Sequence, residues 1–95
     1  MADFLAELDQ IIRDRQRAPQ PGSYTNSLLA EGAPRICQKV GEEAVEVVVA
    51  ALSQTRERQI EETADLIYHL WVLLAQLGIT LDDVRAELER RHRPK

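Results

Sequence analysis

Cysteine is nearly absent from this chain: among its 95 residues there is only Cys37. One thiol excludes an intramolecular disulfide framework and offers no zinc-ligand spacing. At the start of an apolar segment it reads as a small buried hydrophobe. Glycine and proline are also scarce, four of each, and they gather between the apolar segments. That pattern favours long helices over many strands and turns. A positive excess is missing too: the formal net charge is −4, which removes non-specific nucleic-acid binding as an expectation. No basic stretch followed by an apolar run opens the sequence, so no signal peptide is expected. The longest nearly apolar run, Leu66 to Leu77, contains His69 and Gln76 and is too short to span a bilayer. These absences predict a cytoplasmic protein with no membrane or nucleic-acid partner, folded as one all-α domain over residues 1–95.

What is present is helical periodicity. Phe4, Leu5, Leu8, Ile11 and Ile12 predict an amphipathic helix over residues 2–17, broken by Ala18-Pro19-Gln20-Pro21-Gly22. Ser23-Tyr24-Thr25-Asn26 offers N-cap side chains for a short helix that ends near Glu31, with Gly32 as its stop. Pro34 suits the first turn of a third helix running to about Ser53, with Gly41 a weak interior point. Its valines favour a strand by propensity, but the length and the unbroken apolar run favour helix. After a polar link, a fourth helix spans Arg56 to Leu77, with Gly78 as its C′ residue. Thr80-Leu-Asp-Asp83 resembles a capping box opening a last helix to about Arg91. The basic run Arg90, Arg91, His92, Arg93 and Lys95 suits the last turn of that helix better than a polyanion site. The third and fourth helices are apolar nearly all round and need cover on every side. Three shorter helices do not supply it, which predicts a helical bundle completed by a second copy, a homodimer or higher homo-oligomer.

Acids interrupt both apolar helices. Glu42-Glu43-x-x-Glu46 lies in one and Glu62-x-x-Asp65 in the next, after 15 intervening residues. Acids three apart share a helix face, and carboxylates among apolar residues call for a compensating charge. Two converging pairs therefore predict a bound divalent cation, with Glu43, Glu46, Glu62 and Asp65 as ligands. Mg²⁺ takes oxygen ligands and keeps water and phosphate in its remaining positions, and Mn²⁺ is a possible substitute. Such ions serve phosphate chemistry. Glu42 and Glu61 are either further ligands or bases that activate water. The bland alternative is a solvated acidic face, in which Lys39, Arg56 and Arg58 make exposed ion pairs with Glu42, Glu43, Glu61 and Glu62, worth about a few tenths of a kcal/mol. That alternative suits Glu42 and Glu61 but not Glu46, which lies in Ala44-Val45-x-Val47-Val48-Val49, and scarcely Asp65, which lies between Ala64 and Leu66. Lys39 either neutralises phosphate or pairs with Glu43. His69 on an apolar helix reads as a hydrogen-bonded core residue before it reads as a ligand. Tyr68 either reaches the site or packs, and Trp71 belongs to the core or an interface. Ser23, Tyr24 and Thr25 either bind substrate at a helix start or simply cap.

Taken together, Ser23-Tyr24-Thr25, Gly32, Lys39-Val40-Gly41-Glu42-Glu43-Ala44-x-Glu46, Glu62-x-x-Asp65-Leu66-x-Tyr68-His69 and Leu81-x-x-Val84 with Leu88 and Arg91 resemble the phosphoribosyl-ATP pyrophosphatase family, within the MazG-like all-α superfamily. The resemblance covers roughly residues 5–91. The acidic signature is common to the superfamily; the Ser-Tyr-Thr segment and the Tyr-His pair point to this member. The resemblance implies Mg²⁺-dependent hydrolysis of phosphoribosyl-ATP to phosphoribosyl-AMP and pyrophosphate, an early step of histidine biosynthesis. It implies catalytic roles for Glu43, Glu46 and Glu42, and a metal on Glu43, Glu46, Glu62 and Asp65. Substrate would be held by Lys39, Arg35, Ser23, Tyr24, Thr25, Tyr68 and His69. It also implies a homodimer with sites near the subunit interface. The cyclohydrolase to which this activity is fused in some organisms is not expected here, since the chain lacks the length and the cysteines. Two other readings stay open: a MazG-like house-cleaning hydrolase of nucleoside triphosphates, and a non-catalytic helical dimerisation module.

Overall fold

The computed structural model describes residues 3–94. Five helices follow in order: α1 (Phe4–Arg17), α2 (Tyr24–Glu31), α3 (Ala33–Ser53), α4 (Arg56–Leu77) and α5 (Leu81–His92). No strand occurs among the described residues, so the valines of α3 yield to helix. Ala2, where the first helix was expected to begin, and Lys95 lie outside the described residues.

Local chemistry sets the boundaries. Asp3 caps α1 through Leu5 N, Ser23 caps α2 through Asn26 N, and Thr55 caps α4 through Arg58 N. Thr80 and Asp83 form a full capping box on α5, with reciprocal bonds of 2.9 and 3.0 Å. Gly32 (φ 86°) and Gly78 (φ 71°) end α2 and α4 in the left-handed region that favours glycine. The polar link between α3 and α4 is only Gln54-Thr55, with α4 starting at Arg56 as expected, and it makes the two long helices an antiparallel pair. Arg90, Arg91 and His92 fill the last turn of α5, where Arg90 and Arg91 bond Glu87.

Ile12, Leu28, Ile36, Val72 and Ala75 form the fully buried core, with Leu8, Leu29, Tyr68, Trp71 and Leu73 packed around it. It joins one face each of α1, α2, α3 and α4. Side chains from α1 reach α4 and its C-terminal carbonyls: Gln16 donates to Ala75 O (3.1 Å), Arg13 to Ile79 O (2.7 Å), and Trp71 returns a bond to Leu5 O (2.9 Å). Asn26 ties α2 to α1 by donating to Arg15 O at 2.8 Å. No helix buries everything its apolar sequence offers. Val45, Val48, Val49, Leu52 and Ile60 all stand exposed on the outer face of the α3–α4 pair, and α5, turned 105° from α4, buries no side chain. Cys37 is exposed, against expectation, because it sits beside buried Ile36, and adjacent helix positions point about 100° apart.

Ile36 is the wholly buried centre of this core. Ile36→Ala is expected to cost about 2–5 kcal/mol, measured as a lowered urea midpoint at unchanged slope.

Candidate active site

Measured from the Gln54-Thr55 connection, Glu43 lies level with Asp65, and Glu46 level with Glu62. The antiparallel pairing thus brings acids far apart in sequence to one height on the bundle. Glu43, Glu62 and Asp65 converge: each offers a carboxylate oxygen, and these oxygens lie within 4.8 Å of one another. Their burial differs. Glu62 shares the inward stripe of α4 with His69, Val72 and Ala75, and its side chain is 8% exposed. Glu43 is partly buried, and Asp65 is exposed. Glu46 is also exposed and lies outside the converging trio. The burial expected of it from its valine neighbours fails because those valines are themselves uncovered; the buried acid is Glu62.

Cations stand one turn before the acids on both helices. Lys39 Nζ lies 3.5 Å from Glu42 and 3.5 Å from Glu43. Burial disfavours its charge, but Tyr24, Glu43 and Glu42 outweigh that and hold the ammonium above the ordinary lysine value. Arg58 places Nη2 2.6 Å from Glu62 and Nη1 2.7 Å from Glu61. Hydrogen bonding to Glu61, with the charges of Glu62 and Glu46, raises its pKa. Glu42 is exposed and takes a 2.9 Å hydrogen bond from Gln38, which holds its carboxyl below the usual range. It does not join the trio, nor does Glu61, which is exposed. Arg35 lies 4.0 Å from Glu31 and makes no ion pair with the acid cluster.

A polar clasp closes the site on its α2 side. His69 Nδ1 is 2.7 Å from Asp65 O; a carbonyl only accepts, so Nδ1 donates, which in the neutral ring leaves Nε2 as the acceptor. Tyr24 Oη, 3.0 Å from Nε2, therefore donates. Thr25 and Tyr68 share a hydrogen bond between their hydroxyls, and burial pushes the Tyr68 phenol up. Tyr24 stacks on Tyr68 with ring centres 6.2 Å apart, and His69 meets both rings edge-on. Ser23 caps α2, so that of the Ser-Tyr-Thr segment only Tyr24 and Thr25 reach across to α4. From the sequence, Arg58 and Gln38 have no part in the site beyond exposed pairing; the structure sets Arg58 on the buried acid and Gln38 on Glu42.

The donor set fits a hard divalent cation: three carboxylates from two helices, one of them buried, with open positions toward solvent. A helical fold carrying this cluster, flanked by a lysine and an arginine, suits metal-assisted chemistry on phosphates. The family model described as phosphoribosyl-ATP pyrophosphohydrolase matches residues 5–92, and the chain belongs to that family. It is 62% identical to the phosphoribosyl-ATP pyrophosphatase of Metallosphaera sedula over 96% of this chain and 98% of the relative. It is 56% identical to that of Pyrobaculum aerophilum, covering 90% of each. It is 54% identical to that of Sulfurisphaera tokodaii over 95% of this chain and 96% of the relative.

Removing the donor of the clasp leaves buried Nε2 without its protein partner. Tyr24→Phe is expected to lower stability by about 1–2 kcal/mol, read by chemical denaturation, and to loosen α2, read as faster amide exchange there.

Proposed function

We propose that the protein hydrolyses phosphoribosyl-ATP between its α- and β-phosphates, giving phosphoribosyl-AMP and pyrophosphate, in an early step of histidine biosynthesis in the cytoplasm. The observation that carries the reading is the convergence of Glu43, Glu62 and Asp65 in a chain of this family. These three would hold Mg²⁺, or Mn²⁺ in its place, and Glu46 would supply a further oxygen or take the proton from water. When bound, the ion neutralises phosphate charge and makes a coordinated water more acidic. The chain's own residues do the rest. Glu62, anchored on the inward face of α4, fixes the position of the cluster. Lys39 exchanges its bonds with Glu42 and Glu43 for the triphosphate. Arg35, a turn earlier on α3, extends the positive edge. The hydroxyls of Ser23, Tyr24, Thr25 and Tyr68, with His69, form the wall against which the nucleotide lies. Chemically, a water oxygen bonds to phosphorus, the bridging P–O bond breaks, and the water's proton passes to a carboxylate.

A homodimer completes the fold in this reading. Val45, Val48, Val49 and Leu52 of α3 are exposed, and a shallow groove on α4 is lined by Ile60, Ala64 and Ile67 together with Arg56, Gln59 and Thr63. Exposed apolar side chains clustered on a long helix are of the kind that marks an interface. No single helix among the described residues is long and apolar enough to cross a membrane.

Two measurements test these points. With Mg²⁺, the protein is expected to release pyrophosphate from phosphoribosyl-ATP and to leave dATP and dCTP nearly untouched. Glu62→Gln should lower that turnover at least about a hundredfold, and chelation should abolish it. Turnover that survives chelation would refute the metal site; brisk hydrolysis of dATP alone would refute the substrate. Separately, Val48→Glu is expected to convert a dimer into a monomer in sedimentation velocity, and a monomeric wild type would overturn the interface.

A further inference from the structure

The two long helices repeat one pattern. Lys39, Glu42, Glu43 and Glu46 on α3 have the same spacing as Arg58, Glu61, Glu62 and Asp65 on α4: a cation, then acids three, four and seven residues later. The contacts repeat too. Lys39 bridges Glu42 and Glu43, and Arg58 bridges Glu61 and Glu62. The hairpin therefore presents two equivalent cation-and-acid units to each other, and Arg58 is the counterpart of Lys39.

Arg58 stands where helix chemistry disfavours it. With Thr55 as N-cap it occupies the third position of α4, where an acid would complete a capping box and a cation opposes the helix dipole. Three carboxylates compensate: Glu61 and Glu62 in direct contact, and Glu46 close enough to favour its charge. Glu62 is also one of the converging trio, so Arg58 and a divalent cation compete for the same buried carboxylate. Arg58 itself is half exposed and has a route out. A guanidinium freed from Glu62 keeps its contact with Glu61, and its remaining donors suit the paired oxygens of a phosphate.

We propose that Arg58 is a second phosphate-binding residue of the site, one that holds Glu62 while the metal is absent and transfers to the departing pyrophosphate portion of the substrate when the metal binds. This rests on the metal reading above. Without metal, Arg58 holds the Glu62 carboxylate in place; with metal, the same side chain neutralises the phosphates.

The test compares Arg58→Met, Arg58→Lys and Arg56→Met, each checked for helicity by circular dichroism. Mn²⁺ binding is measured by electron paramagnetic resonance, and pyrophosphate binding to the Mn²⁺-loaded protein by calorimetry. Arg58→Met is expected to bind Mn²⁺ at least about threefold more tightly, for lack of a competitor, and pyrophosphate at least about tenfold more weakly. Arg58→Lys should return Mn²⁺ affinity toward wild type and recover only part of the pyrophosphate binding. Arg56→Met, on the same turn without these contacts, should match wild type in both. Unchanged Mn²⁺ or pyrophosphate affinity in Arg58→Met, or equal effects from Arg56→Met, overturns the proposal and leaves the metal site standing. A wild type that binds no Mn²⁺ removes the metal site and the exchange together.

Discussion

Everything at the heart of this structure depends on tolerating mutual repulsion. Three carboxylate oxygens converge within 4.8 Å, and one of the acids is almost fully withdrawn from water. In isolation that arrangement would push its members apart or force a proton onto one of them. The chain supports it with cations on the same helices, one turn earlier, so that each helix arrives at the meeting partly neutralised. The residual negative charge is of the kind that a divalent ion would relieve.

The polar clasp between α2 and α4 serves the same end by other means. His69 lies on the core stripe of α4, yet its two ring nitrogens are both occupied, one by the Asp65 carbonyl and one by the Tyr24 hydroxyl. Burial of an imidazole is then inexpensive, because nothing polar on it goes unpaired. Tyr24 in turn lies close enough to Lys39 to favour its charge. The short α2 thus ties two of its side chains to α4 while adding Leu28 to the core.

Helix positions were legible in the sequence because they are written locally. Ser23, Thr55 and Thr80 cap where hydroxyls precede periodic segments, and Gly32 and Gly78 stop helices where positive φ is needed. The acids were legible as a set because spacing on a helix survives without knowledge of the fold. Burial was not. Apolar neighbours in sequence do not bury a helical residue; whatever packs on its face does. Glu46 and Cys37 are exposed on α3 for that reason, while Glu62, whose own neighbours are polar, lies inside. The cross-chain pairing of Tyr24 with His69 and Thr25 with Tyr68 joins residues more than 40 positions apart, and no local pattern announces it. Arg58 escaped notice as a surface charge because only the packed hairpin reveals which acid it faces.

The connection Gln54-Thr55 carries a consequence out of proportion to its size. Both halves of the acid cluster are reckoned from it, so it works as the caliper of the site. A residue added there would slide one helix along the other by up to about 1.5 Å, leaving every cap and every core contact within each helix intact while taking the carboxylates out of step. Surface loops ordinarily absorb insertions with ease; in this chain a two-residue link sets the register on which the convergence of the acids depends.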